Sequence, residues 1–231
     1  NRIAFDSLFV QSKVLDNNKV ITVSSNELDA VLAGEFTIKD LPAAFQTFLN
    51  KYYPSYIKPS RSTLKNENFS FVITTKNIQD YLDIFVKDLK GFNYSTITGR
   101  INNKENLLDL NADIPQFSYK NIALYNVTLK GSGTLSNLSL ETGIGDIYIN
   151  DSLHFPVTAI SVNSANDVSE VKITTSANQT LNAASISAKV NTRRNGVSIH
   201  LNESSFDING KNWIIEKNGE LILSKDLVSA E

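Results

Sequence analysis

The feature that most constrains this chain is a period of two. From Phe92 to Leu223, apolar and polar residues alternate through one short segment after another, with almost no helical interruption. Leu108, Leu110, Ala112 and Ile114 share one parity, and Asp109, Asn111 and Asp113 share the other. Val197, Ile199 and Leu201 alternate in the same way with Ser198, His200 and Asn202. Successive side chains of a strand point to opposite faces, so the pattern predicts half-buried antiparallel strands with one apolar and one wet face. The expected spans are 92–102, 105–114, 119–130, 134–142, 145–150, 155–163, 168–176, 180–192, 196–203, 205–209, 212–217 and 220–225. Asn195-Gly196, Asn209-Gly210 and Asn218-Gly219 supply hairpin turns, because both residue types take positive φ at low cost. Asn102-Asn103-Lys104 and Asn166-Asp167 suit tight reversals for the same reason.

The first 91 residues carry a second period. Ile3 to Leu15 and Lys19 to Ser24 read as strands around Asp16-Asn17-Asn18, and Leu28, Ala30, Leu32, Phe36 and Ile38 share one strand parity. Leu41, Ala44, Phe45, Phe48, Leu49 and Tyr52 then recur at three- and four-residue spacing, one face of a helix over 40–53. Asp40 is expected to accept hydrogen bonds from the first-turn amides, Pro42 is tolerated in that turn, and Pro54 stops the helix. After a short strand, Phe69 to Thr74, a second helix is expected. Thr75 would cap it, Ile78, Tyr81, Leu82, Phe85 and Leu89 would form its apolar face, and Lys87, Lys90 and Gly91 would close its C-terminus. The organisation is therefore 1–91, strands plus two helices forming a cap or packing region, followed by 92–231, an antiparallel β-meander. The chain opens on a strand-like stretch without methionine and reads as one continuous fragment of a larger protein.

Composition narrows the function. With 22 basic and 24 acidic residues and a net charge of −2, the chain lacks the basic surface that phosphate backbones demand, so no nucleic-acid partner is expected. There is no cysteine, hence no disulfide or thiolate metal site. His154 and His200 have no acid or serine at a catalytic spacing and read as surface residues. Asp109-Leu110-Asn111-Ala112-Asp113 resembles the opening of a calcium loop but lacks the glycine at its sixth position and has Lys120 where the bidentate glutamate belongs. Gly131/Gly133 and Gly143/Gly145 do not complete a nucleotide-binding fingerprint and are read as turn or bulge glycines. No nucleophile elbow or phosphate-binding loop occurs. No catalytic residue, metal site or cofactor is expected, and the chain reads as a non-enzyme.

The apolar stripe is what remains. Two helices of about a dozen residues cannot cover a dozen strands, so the sheet either closes into a core or leaves an open trough. We expect a mainly β fold: a long curled antiparallel sheet forming an open groove, with two short amphipathic helices. By parity, the groove residues are Leu108, Leu110, Ile114, Ile122, Leu124, Ile186, Val190, Val197, Ile199 and Leu201. Trp213 alternates with Ile215 and stands as a core residue instead. The alternative is an extracellular β-sandwich serving as a glycan-binding or adhesin module, which would need exposed aromatic residues on a polar face.

Two stretches carry a family resemblance. Leu28-Asp29-Ala30-Val31-Leu32-Ala33-Gly34-Glu35-Phe36-Thr37-Ile38, followed by a helix ending in Tyr52-Tyr53-Pro54, resembles TamB-type proteins of the Bacteroidetes group. So does Phe206-Asp207-Ile208-Asn209-Gly210-Lys211-Asn212-Trp213-Ile214-Ile215. The resemblance implies an AsmA-like translocation and assembly module, a bridge-like lipid-transfer protein folded as a β-taco with a hydrophobic groove. It further implies a periplasmic location, tethered to the inner membrane by a segment outside this chain. The implied role is phospholipid transport to, or assembly of, the outer membrane. The implied partners are phospholipid acyl chains and an Omp85-type outer-membrane protein. The family offers no catalytic residues, and the two helices depart from a plain groove.

Overall fold

The computed structural model describes residues 7–16, 18–61, 67–86, 88–150, 153–176, 184–208, 211–215, 219–224 and 227–230. The strands are β1 (Leu8–Leu15), β2 (Asn18–Ser25), β3 (Leu28–Glu35), β4 (Asn68–Thr75), β5 (Leu89–Gly91), β6 (Thr96–Asn102), β7 (Leu107–Tyr119), β8 (Ile122–Gly133), β9 (Leu138–Ile149) and β10 (Leu153–Ala165). They continue with β11 (Val168–Thr175), β12 (Ala184–Arg193), β13 (Gly196–Leu201), β14 (Ser204–Ile208), β15 (Lys211–Ile215), β16 (Glu220–Ser224) and β17 (Leu227–Ala230). Two helices, α1 (Leu41–Tyr52) and α2 (Gln79–Phe85), interrupt the series.

All seventeen strands belong to one antiparallel sheet. From one edge, β1 pairs with β2, β2 with β3, β3 with β4, β4 with β6, and β6 with β7. The ladder runs on without a break through β8, β9, β10, β11, β12 and β13. β16 pairs with β13, and β17 closes the series. β5 adds to the end of β7, and the β14–β15 hairpin prolongs β13 and β16. Among the described residues β1 and β17 each pair on one side only, so the sheet stays open. The expected mainly β, curled, open antiparallel sheet is the observed fold, and the closed sandwich is not formed.

The turns follow their chemistry. Asn166 and Asp167 take φ of 47 and 68 between the paired Ala165 and Val168, the geometry a two-residue hairpin needs. Asp16, Asn106, Lys120 and Asn150 take left-handed φ at other reversals. Arg194-Asn195 turns β12 into β13. Asn209-Gly210 and Asn218 lie outside the described residues, as do Asn17 and the strand start expected at 3–6.

Several expectations need correction. The stretch 145–150 is not a strand of its own: Gly143 and Gly145 lie inside β9, which runs unbroken from Leu138 to Ile149. Gly131 and Gly133 lie inside β8, not in a turn. Their purpose is close approach: a Cβ on Gly133 would overlap the Tyr52 hydroxyl, and one on Gly131 would come within 2.9 Å of Leu140 Cδ2. The second helix is shorter than expected. Thr75 ends β4 and ties it to the next strand, accepting a hydrogen bond from the Ser95 amide at 2.8 Å. Ile78 precedes α2 without a side-chain cap, while Leu89, Lys90 and Gly91 form β5. For α1 the span is as expected, but Asp40 makes no side-chain capping bond; a 3-10 turn, Ile38–Asp40, leads in instead.

Helix α1 lies across one end of the sheet. Ala44, Phe48 and Tyr52 pack with Phe36 on Phe69 (β4), Ile101 (β6), Leu108 (β7) and Leu138 (β9). Its N-terminal half meets β4, where Phe45 packs edge-on against Phe69 and Phe71. Its C-terminus is tied to the β10–β11 turn. The Asp167 amide donates to the Tyr52 carbonyl at 2.7 Å, and the Asp167 carboxylate accepts from the Ser55 hydroxyl at 2.7 Å and the Ser55 amide at 3.0 Å. A twelve-residue helix is roughly 18 Å long, whereas β4 and β11 would stand roughly 29 Å apart in a flat sheet. Curvature and side-chain reach make up the difference, so α1 acts as a strap between the two walls of a trough.

Candidate functional site

The inner face is the one that α1 touches. Paired residues of a ladder share a face, so its rows can be followed strand by strand. One row runs Phe69–Ile101–Leu108–Gly133–Leu138–Ser164–Ser169–Val190–Ile199. The next runs Ile21–Leu32–Phe71–Gly99–Leu110–Gly131–Leu140–Val162–Val171–Ala188–Leu201. A third holds Val23, Ala30, Ile73, Ile97, Ala112, Leu129, Thr142, Ile160, Ile173 and Ile186. The opposite face carries Arg100 facing Asp109, Lys130 facing Glu141, and Glu170 facing Lys189, opposite charges side by side in the ladder. One face is therefore mainly apolar, interrupted by hydroxyls such as those of Thr142, Ser164 and Ser169, and the other is wet.

Alternation alone would put Ile122 and Leu124 on the wet face of β8, because they are out of parity with Val127 and Leu129. The structure reverses this. Pro115, Asn126, Gly145 and Val157 fall on one line across β7 to β10 where the pairing is interrupted, and Asn126 takes φ 52 in mid-strand. The left-handed residue rotates the strand, so the apolar series continues with a step of three. Phe117, Leu124 and Ile147 pack with Ile114, Val127 and Ile144, and Phe92 stacks on Phe117 with ring centroids 4.8 Å apart. All ten residues selected by parity thus share the inner face.

Their environments differ. Leu108 is buried beneath α1 and Ile114 within the second cluster, so both are core rather than groove wall. Leu110, Leu124, Ile186, Val190, Val197, Ile199 and Leu201 are half-buried. Ile122 is exposed at the strand end, and Trp213, set aside as core, is 53% exposed. A further apolar concavity involves none of these ten residues. Beside α1 a cavity of about 430 Å³ is lined by Ile21, Leu32, Leu41, Phe45, Phe71 and Ile73, and every described residue around it is apolar. The signal was present: Phe71 and Ile73 alternate in β4, and Leu41 and Phe45 lie on the helical stripe. Strand parity and helical stripe lie in different segments of the sequence, and only the packing of α1 on β4 joins them into one lining.

Three polar features border this surface. Tyr52 is wholly buried and donates to the Thr134 carbonyl at 2.7 Å, and burial pushes its hydroxyl up to about 12. The Tyr53 and Ser164 hydroxyls lie 2.9 Å apart, joining α1 to β10. Lys19 donates to the Phe36 carbonyl at 3.3 Å and sits over the Phe36 ring at 5.2 Å, so its charge is used at the mouth of the strap.

The wet face carries both histidines. Ser198 Oγ and Glu220 Oε1 approach His200 at 3.3 and 3.4 Å, but both meet the same nitrogen, Nε2. A relay needs the acid on one ring nitrogen and the nucleophile on the other, and Ser198 is fully buried. His154 meets Asp146 at 2.7 Å, a partner eight residues away that sequence spacing did not reveal. Asp109, Asn111 and Asp113 stand on alternate positions of β7, too extended to converge on one cation. Among the described residues no three potential metal ligands cluster, and no helix is long and apolar enough to cross a membrane. No protein-family model matches the chain, and no curated protein or solved structure matches it.

Proposed function

We propose that this chain is a non-enzymatic groove segment that holds phospholipid acyl chains. It would serve a periplasmic protein in phospholipid transport to, or assembly of, the outer membrane. The supporting observation is the inner face: a mainly apolar surface over β2 to β13 that α1 covers at one end, with Leu110, Val162, Ile173 and Ile186 half-exposed. A hydrocarbon chain lying along it gains about 0.8 kcal/mol for each methylene fully removed from water, and roughly half of that in an open trough. Such a surface needs no polar recognition, which fits the wholly apolar lining of the cavity beside α1. The TamB-like resemblance points to the same ligand, to a membrane tether outside this chain, and to an Omp85-type partner.

The test is photocrosslinking in cells, with the crosslinking residue placed at Leu110 or at Asn111 in the full-length parent. Leu110 faces the groove, and its neighbour Asn111 is exposed on the opposite face. Phospholipid captured at Leu110 and not at Asn111 is the expected result. Capture at neither position, or equally at both, would remove the groove from the mechanism.

A further inference from the structure

The wet face carries one cluster unlike the rest of it. Beyond the interruption at Asn126, Tyr125, Tyr148 and His154 occupy the outer face, opposite Leu124 and Ile147. Tyr148 and His154 face each other across β9 and β10 and stack with centroids 4.4 Å apart, 13° from parallel. Tyr125 stands edge-on to Tyr148 at 5.7 Å and 87°. His154 is held in turn by Asp146 at 2.7 Å. One face of the Tyr148 ring is thus backed by an anchored imidazole, and the row on its other side continues through the small residues Ala123 and Ser118.

The result is a hollow of about 710 Å³. It is lined by Tyr148, Tyr125, Ala123, Ser118 and Ile122. Asn121 and Asn150 form its rim at the hairpin ends, with Lys120 beside them; the Asn121 amide donates to the Asn150 side-chain oxygen at 2.6 Å. We propose that this hollow is a binding site for a neutral pyranose sugar, stacked on Tyr148 and hydrogen-bonded by the asparagine rim.

The chemistry selects this ligand class. A pyranose ring has an apolar face of C–H groups, which suits the electron-rich face of an aromatic ring. Its rim of hydroxyls both donates and accepts, as carboxamides do. Ala123 and Ser118 leave the depth that a stacked ring needs, where larger residues would fill it. A nucleotide fits less well, since Lys120 is the one charged group among the described lining residues and its ammonium sits over the Tyr119 ring at 5.3 Å. Volume and convergent polar groups are those of small-ligand sites. Tyr125, Tyr148 and Ala123 lie on the face away from the acyl groove, and Ile122 at the strand end is the one groove residue among the described lining, so each site can stand or fall without the other.

The probes are cellohexaose and chitohexaose, with oligothymidylate as a competing class, measured by saturation-transfer NMR and titration calorimetry on the whole chain. Saturation of sugar ring protons is expected for at least one hexaose. Tyr148→Ala should weaken binding at least about tenfold, a change of ~1.4 kcal/mol. Tyr148→Phe keeps the ring face and should bind nearly as wild type, whereas Ala123→Leu fills the hollow and should abolish binding with both tyrosines intact. Thermal unfolding of each variant guards against loss of fold. No transfer to either sugar at roughly millimolar concentration, unchanged binding in Tyr148→Ala, or binding of oligothymidylate alone would overturn the assignment.

Discussion

Replacing Tyr52 by Phe tests whether α1 is clamped to the sheet as described. The Tyr52 side chain is wholly buried, and its hydroxyl donates to the Thr134 carbonyl at 2.7 Å. Removing the hydroxyl takes away one buried hydrogen bond and leaves a carbonyl without that donor, which costs about 1–2 kcal/mol near neutral pH. The pH dependence is more diagnostic. Burial raises the Tyr52 pKa from 10.0 to about 12, so the folded chain keeps this proton after the unfolded chain has lost it. Stability from the neutral hydroxyl is therefore fully present below pH 10 and is lost as pH rises through the folded value, about 12. The slope is ~1.36 kcal/mol per pH unit, and the whole loss about 2–3 kcal/mol. Urea unfolding of wild type and Tyr52→Phe at matched pH values from 8 upward (roughly half-unit steps suffice to resolve such a slope) removes the titrations common to both. Wild type should be the more stable at neutral pH, and its advantage should shrink and reverse above pH 10. A difference between the two proteins that stays flat across this range would refute the buried clamp.

Two further substitutions probe the sheet itself. Asn126→Val places a β-branched residue at φ 52 in mid-strand and should destabilise by about 1–3 kcal/mol in urea unfolding, whereas Asn126→Gly should cost far less; equal costs would show that the face switch does not depend on left-handed backbone there. Gly133→Ala drives a methyl into the Tyr52 hydroxyl and should cost about 1–3 kcal/mol, with part of that cost recovered in the Tyr52→Phe background; strictly additive effects would place the two residues apart.

Much of the architecture is local and was therefore legible. Strand parity in Leu108 to Ile114, the helical stripe from Leu41 to Tyr52 and the Asn-Asp turn at 166–167 each depend on side chains a few residues apart, and each formed as its pattern required. The second helix is shorter than its pattern suggested because Thr75 and Leu89 found sheet partners, Leu28 and Tyr119, that no short window of sequence contains. Ile122 and Leu124 reached the inner face for a reason that periodicity cannot express. One left-handed residue shifts the step from two to three.

Alternation and turn chemistry act within single strands and hairpins, so they were enough to specify a sheet with one mainly apolar and one polar face. Tertiary structure alone decided what each face became. Whether the apolar rows were sealed or left as a groove depended on where α1 landed and how far the sheet curled between β4 and β11. Those quantities are set by contacts across more than a hundred residues, such as Ser55 with Asp167. The polar face likewise acquired its aromatic hollow only when β8, β9 and β10 set Tyr125, Tyr148 and His154 side by side. Residues far apart in the chain become neighbours by register, and register is a property of the assembled sheet.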